Sequence, residues 1–187
     1  MVAVNGEVTG VPALRQMHIR MLASQEGRAV LSSRPRITSA LLPSLALLPP
    51  ATLGHHYQAF LAANSITPDS RSEVTFVDDP SLAYVMTRYR ETHDLSHCVL
   101  AMPTTMVGEV LVKWVEALQL GLPMCVGGAV FGPLRFGPKQ RQQYRRLLPW
   151  ALHTGKSAGF LLAIHYENRW PASLLYIRWP GSLCVVH

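Results

Sequence analysis

A chain of 187 residues is one domain, long enough to bury a sizeable core. Hydrophobic residues make up 49% and charged residues 15%, with a net charge of +6; the excess favours an anionic partner. The aromatic-plus-basic signature of a nucleic-acid module is missing, so nucleic acid is set aside and an anionic membrane surface fits the apolar composition better. Cys98, Cys125 and Cys184 are odd in number and scattered, which points to reduced thiols rather than a disulfide framework.

Residues 11–32 read as one helix or two. Leu14, Met17, Ile19, Met21 and Leu22 give an uneven apolar face, Gly27 interrupts it, and Arg34-Pro35-Arg36 ends it in a turn. Residues 38–54 are apolar but broken by Pro43, Pro49 and Pro50, so a long regular helix does not fit there. Tyr57, Phe60 and Leu61 stand at i, i+3, i+4, a helical stripe facing the core. Ser65 to Ser70 is a loop. Asp79 followed by Pro80 is a helix start, with the carboxylate as N-cap and the proline just inside. Leu82, Val85, Met86 and Tyr89 make the buried stripe of that central helix. Arg88, Arg90 and Glu91 read as its solvated face.

Steps of four from Tyr89 reach His93 and His97. The core stripe therefore runs into two histidines on one face, one turn apart, which is the spacing at which one helix gives two nitrogens to a single metal ion. Asp94 points about 100° round the helix from His93. It can be a third ligand at the edge of the face, or an acceptor for a ligand imidazole N–H. Pro103 breaks the helix after Met102, and Thr104 or Thr105 caps a second one. Glu109 falls early in this second helix and can fold back onto the histidines, although the helix dipole alone also favours a carboxylate there. Two nitrogens and two carboxylates suit Zn²⁺ and also accept Fe²⁺, Mn²⁺ or Mg²⁺. The pattern is not the zinc-protease motif, whose first histidine is followed by glutamate.

Met106, Val107, Val110, Leu111, Trp114, Val115 and Leu118 carry a clear 3.6-residue period through the second helix. Glu109 and Glu116 share a face of it with Val112 and Lys113. Ala117 to Leu134 holds no charge, yet its four glycines and two prolines argue against one membrane-spanning helix. It reads as packed core or as the wall of an apolar groove. Lys139 to Arg146 is a basic run leading to Trp150, a solvated helix face or a surface that rests on anionic lipid. No run reads convincingly as a strand. The expectation is an all-α single domain of long helices with Pro/Gly-rich connections.

The sequence from Arg88 through His93-Asp94-Leu95-Ser96-His97, eleven residues and then Glu109 resembles the Coq4 family of ubiquinone-biosynthesis proteins, whose hallmark is His-Asp-x-x-His-x11-Glu. Arg34-Pro35-Arg36-Ile37, Phe76-Val77-Asp78-Asp79-Pro80, Val112-Lys113-Trp114, Gly121-Leu122-Pro123-Met124 and Phe131-Gly132-Pro133 extend the likeness over residues 1–170. The resemblance implies a metal held by His93, Asp94, His97 and Glu109, the catalytic set acting through that metal. It implies a carbon–carbon lyase that removes the C1 carboxyl of a polyprenylated 4-hydroxybenzoate, with or without hydroxylation at that carbon. The opposing expectation is a lipid-binding scaffold that organises the other ubiquinone-biosynthesis proteins. The implied place is the matrix side of the inner mitochondrial membrane, as a peripheral protein; a homodimer is compatible with these features. The chain opens like an internal stretch of the family, without a transit peptide, and so looks N-terminally shortened. Residues 171–187 depart from the family and read as a divergent tail, and Cys184-Val185-Val186-His187 has only the bare spacing of a prenylation signal.

Overall fold

The computed structural model describes residues 2–174, with side chains from Glu7 onward. The described residues form eight α-helices and no strand, so the chain is all-α as expected. α1 is Val2–Leu22, α2 Gln25–Ser33, α3 Leu42–Ala46, α4 Leu53–Asn64, α5 Pro80–Leu100, α6 Met106–Leu120, α7 Pro123–Phe131 and α8 Pro138–Ser157.

α5 is the helix around which the others pack. Asp79 caps it, its Oδ1 accepting the amide N–H groups of Ser81 (2.8 Å) and Leu82 (3.2 Å). Pro80 takes the first position, where no backbone donor is needed. The first turns of α5 bury Leu82, Val85, Met86 and Tyr89 in one core with Leu14, Met17 and Met21 of α1. Its last turns bury Leu95, Cys98 and Val99 in a second core, with Leu53, Tyr57 and Leu61 of α4 and with Tyr166 and Trp170. A third core lies between α6 and α8 and contains Leu111, Val115 and Ala151. From Asp94 to Leu100 every residue of α5 is buried. A helix enclosed on all sides must give each of its polar side chains an internal partner.

α5 ends at Ala101, which adopts the left-handed conformation (φ 54°) and lets the Met102 amide reach back to the His97 carbonyl at 3.0 Å. Pro103 then forbids another helical turn. Thr105, of the two threonines expected to cap α6, is the one that does, accepting the Gly108 amide on Oγ1 at 3.3 Å. A Cβ on Gly108 would run into the Pro103 carbonyl oxygen and stand 3.0 Å from its carbon. Only glycine allows α6 to start this close to the end of α5, and Glu109 is the next residue.

The structure differs from the sequence reading in several places. α1 begins at Val2, and the break after it lies at Ser24 rather than Gly27. Ser24 caps α2 by accepting the Gly27 amide, while Gly27 sits within α2 against the α1 backbone. Ile19 and Leu22 are exposed, which narrows the α1 core face to Leu14, Met17 and Met21. Arg88, Arg90 and Glu91 are not a solvated face. Arg88 is fully buried, paired with Glu167 and donating to the Ile164 carbonyl at 2.8 Å. Glu91 is buried and takes Arg36 at 2.6 Å and the Ile37 amide at 3.1 Å. Arg90 reaches Glu7 at 2.6 Å. Residues 117–134 divide between the end of α6, all of α7 and the turn that follows it. No helix among the described residues is long and apolar enough to cross a membrane.

The first residues of the expected tail lie against the start of α4. The Leu53 amide donates to Ala172 O, the Gly54 amide to Trp170 O, and the Leu174 amide to Ala51 O. Leu174 is buried in the second core. Cys184 and the end of the chain lie outside the described residues.

Candidate metal centre

His93 and His97 stand one turn apart on the buried side of α5, with ring centroids 5.0 Å apart and planes at 89°. Glu109 arrives from the first turn of α6. Its carboxylate oxygens lie 3.2 Å from His97 Nε2 and 3.6 Å from His93 Nε2. One donor atom from each of the three residues lies within 4.8 Å of the other two. His97 is fully buried and His93 nearly so, while the Glu109 side chain is 37% exposed. The cluster thus opens outward along Glu109. Phe60 stacks on His97 (centroids 5.8 Å apart, planes at 24°) and covers that ring.

The far nitrogen of each ring settles which nitrogen faces the cluster. His97 Nδ1 lies 3.0 Å from the Met102 carbonyl; a carbonyl only accepts, so Nδ1 carries the proton. His93 Nδ1 lies 2.6 Å from Glu116 Oε1, and the same argument applies. Nε2 of each ring is left as the atom turned toward Glu109. His97 Nε2 is buried and has no hydrogen-bond partner; Glu109 Oε1, though near, stands outside hydrogen-bond geometry. Two imidazole nitrogens facing one carboxylate make an arrangement that a cation relieves. The set of two nitrogens and one carboxylate suits Zn²⁺ and accepts Fe²⁺, Mn²⁺ or Mg²⁺. The residues fit a divalent cation.

The electrostatics agree with this. Burial disfavours charge on His93, but Glu116 and Glu109 more than reverse the effect and raise its pKa to about 9. Burial would raise Glu109, but both histidines hold it well below the usual carboxylate range. Glu116 is likewise pushed up by burial and brought down further, to about 2, by Lys113 and His93. The pocket therefore holds its carboxylates ionised and favours positive charge between them; without a metal that charge is a second proton on His93, which a cation bound at Nε2 would displace.

Asp94 stands apart from this cluster. It is buried, and its Oδ1 accepts from the Arg71 guanidinium at 2.5 Å. The histidine N–H groups go to Glu116 and to Met102 O, not to Asp94. The structure thus brings together three of the four expected residues, His93, His97 and Glu109, and sets Asp94 against the loop before α5. Sequence reasoning gave no role to Glu116, Lys113 or Arg71. One signal for the first two was present: Glu109, Lys113 and Glu116 recur at i, i+4, i+7 on a helix that is otherwise largely apolar.

Val126, Val130 and Phe131 of α7 and Leu134 after it are exposed. Gly132 packs on the Val110 side chain, which sets this apolar strip beside α6, next to the residue that follows Glu109.

The sequence model of the family described as coenzyme Q (ubiquinone) biosynthesis protein Coq4 matches residues 1–179. The chain belongs to the Coq4 family. The match runs nine residues past Trp170, where the sequence reading placed the end of the likeness. Among similar relatives, the mitochondrial ubiquinone biosynthesis protein COQ4 homolog of Aedes aegypti is 53% identical over 181 residues, covering 95% of this chain and 66% of that protein. The Xenopus laevis homolog is 52% identical over 180 residues, covering 95% and 64%. The Drosophila sechellia homolog is 52% identical over 190 residues, covering 100% and 71%. The chain spans about two thirds of the length of these Coq4 relatives. A crystal structure from Nostoc punctiforme, provisionally described as a ubiquinone biosynthesis protein, superposes with a TM-score of 0.69 at 25% identity, covering 89% of this chain and 79% of that one.

Proposed function

We propose that this Coq4 protein acts in ubiquinone biosynthesis as a metal-dependent carbon–carbon lyase. It removes the C1 carboxyl of a polyprenylated 4-hydroxybenzoate, alongside other proteins of the pathway. The observation that carries the reading is the three-residue cluster of His93, His97 and Glu109, with Asp94 committed to Arg71. A structural metal site is closed by four protein ligands, whereas a catalytic one keeps a position open. Three ligands that open outward along Glu109 favour catalysis over a scaffold with a structural ion.

A divalent cation at this site would supply Lewis acidity toward a carboxylate or phenol oxygen of the aromatic head group. The protein supplies the rest. Met102 O and Glu116 hold the two rings in place, so little reorganisation is needed when substrate arrives. Phe60 shields the inner side from water. Glu109 carries the negative charge of the ligand set and lies where the head group enters. In the reaction the bond between C1 and the carboxyl carbon breaks, its electron pair stays with the ring, CO₂ leaves and a proton takes its place. The exposed strip of Val126, Val130, Phe131 and Leu134 is the proposed seat of the polyprenyl tail. Binding energy there, remote from C1, is available to position the head group. The relatives are named mitochondrial. The proposed location is the matrix face of the inner membrane, reached peripherally through this strip and the basic surface of α8.

The test is release of CO₂ from a short-tailed prenyl 4-hydroxybenzoate by the purified, metal-loaded chain. Release should depend on metal and fall at least 100-fold in Glu109→Ala, as expected when a group acting in the transition state is lost (about 2.7 kcal/mol). Stoichiometric metal with no release by the unaltered chain would favour the scaffold. A ring hydroxylated at C1 in the product would place an oxidant in the reaction.

A further inference from the structure

The two histidines are held in different ways. Met102 O, which fixes His97, belongs to the backbone, but the group that fixes His93 is a side chain seven residues beyond Glu109. Glu116 is 4% exposed, and its two oxygens are divided. Oε1 takes His93 Nδ1 at 2.6 Å. Oε2 takes Lys113 Nζ at 2.6 Å, the Tyr89 hydroxyl at 3.3 Å and the Cys125 thiol at 3.5 Å. Lys113 also donates to the Tyr89 hydroxyl at 3.0 Å, and that hydroxyl lies 3.2 Å from Cys125 Sγ. A carboxylate held by donors on both oxygens cannot rotate away from the imidazole. Tyr89 and Cys125 are themselves buried, so the anchor is part of the core.

Resting on the metal reading above, we propose that Glu116 is a positioning residue for the metal, locked by Lys113. Glu116 keeps the His93 proton on Nδ1 and presents Nε2 as a ligand, while Lys113 fixes the carboxylate that does so. Nothing else among the described contacts of His93 Nδ1 can accept its proton. Lys113 lies 3.5 Å away, but an ammonium only donates. Without Glu116 the ring is free to flip or to change tautomer. His93 would then meet the cluster with a protonated nitrogen as readily as with a free one. A partner of this kind is typically worth 10- to 100-fold in metal affinity. Lys113 supports the site through Glu116; with Glu116 gone its ammonium, 3.5 Å from His93 Nδ1, is free to donate to that nitrogen and oppose the ligand tautomer.

The experiment is Zn²⁺ affinity by chelator competition, together with the visible spectrum of the Co²⁺-loaded chain. It compares the unaltered chain, Glu116→Gln, Glu116→Leu and the double variant Glu116→Leu/Lys113→Met. Glu116→Gln keeps an acceptor oxygen and should lose about 10-fold; Glu116→Leu should lose about 100-fold. The double variant leaves no unpaired buried ammonium beside His93; it should bind at least as tightly as Glu116→Leu and still well below the unaltered chain. The Co²⁺ bands should shift in each variant, which a merely structural ion pair would not cause. Circular dichroism of the metal-free chains confirms the fold; if Glu116→Leu alone fails to fold, the glutamine and double variants carry the result. Full affinity with an unchanged Co²⁺ spectrum in a folded variant overturns the proposal. No binding by the unaltered chain overturns the metal reading itself, and this proposal with it.

Discussion

Gly108 couples the fold to the site, and replacing it with alanine tests that coupling. The added methyl would collide with the Pro103 carbonyl oxygen and stand 3.0 Å from its carbon. These are backbone atoms, with no flexible side chain to move aside. The corner between α5 and α6 must open, at a cost of about 1–3 kcal/mol for overpacking. Alanine is the better helix former by about 0.5–1 kcal/mol, which offsets only part of this. For a chain of this size each kcal/mol lowers Tm by about 2–4 °C. Glu109 is the next residue, so any opening moves its carboxylate away from His93 and His97. A displacement of the order of 1 Å at a reacting centre costs about 100-fold in rate. Gly127→Ala is the control, because nothing lies within 4 Å of a Cβ there; it should be neutral or stabilising. Thermal unfolding and Zn²⁺ titration of both variants make the comparison. A Gly108→Ala protein with the stability and metal affinity of the unaltered chain would refute the argument that this close approach sets Glu109.

Arg88→Met removes a fully buried guanidinium and leaves Glu167 and the Ile164 carbonyl without it; denaturant unfolding should show a loss of about 3–5 kcal/mol, as for a broken buried pair. Burial alone would raise Glu7, but the Phe76 and Thr75 amides and Arg90 hold its pKa below the ordinary 4.5. A folded-state pKa below the unfolded one adds stability above the unfolded value and loses it as pH falls through the folded value. Stability should therefore fall on acidification through the carboxylate range, and Glu7→Gln should flatten that fall in pH-dependent unfolding. Zn²⁺ at 100 times its dissociation constant should raise the unfolding free energy by about 2.7 kcal/mol, and a chelator should return the chain to its metal-free Tm.

The helices and the site were readable where neighbours in sequence are neighbours in space. The Asp79 cap, the stripe from Leu82 to Tyr89, and His93 and His97 one turn apart are all local patterns, and α5 realises each of them. Glu109 was readable because proline and threonine fix where α6 begins. Long-range pairing was not readable. Arg88 and Glu91 look like ordinary charges of a solvated face until Glu167, 79 residues on, and Arg36, 55 residues back, close over them. Asp94 is next to His93 in sequence, yet its partner Arg71 lies in the preceding loop. The helical angle from His93 placed Asp94 at the edge of the histidine face but could not say what waits there. Gly27 looks in sequence like the α1–α2 break, whereas the glycine is needed for close approach and Ser24 makes the cap. Glu116 combines both cases, since its place on the α6 face is local while its contact with His93 spans 23 residues.

The central claim is that His93, His97 and Glu109 hold one divalent ion with a position open. X-ray absorption of the purified chain at one equivalent of Zn²⁺ tests it most directly, beside His97→Ala and Asp94→Asn. One ion per chain is expected, with two imidazole nitrogens and light oxygen donors around it. Binding should be lost in His97→Ala and kept in Asp94→Asn, provided both variants retain the fold. An ion held without imidazole ligands, or one that leaves with Asp94 and stays without His97, would contradict it.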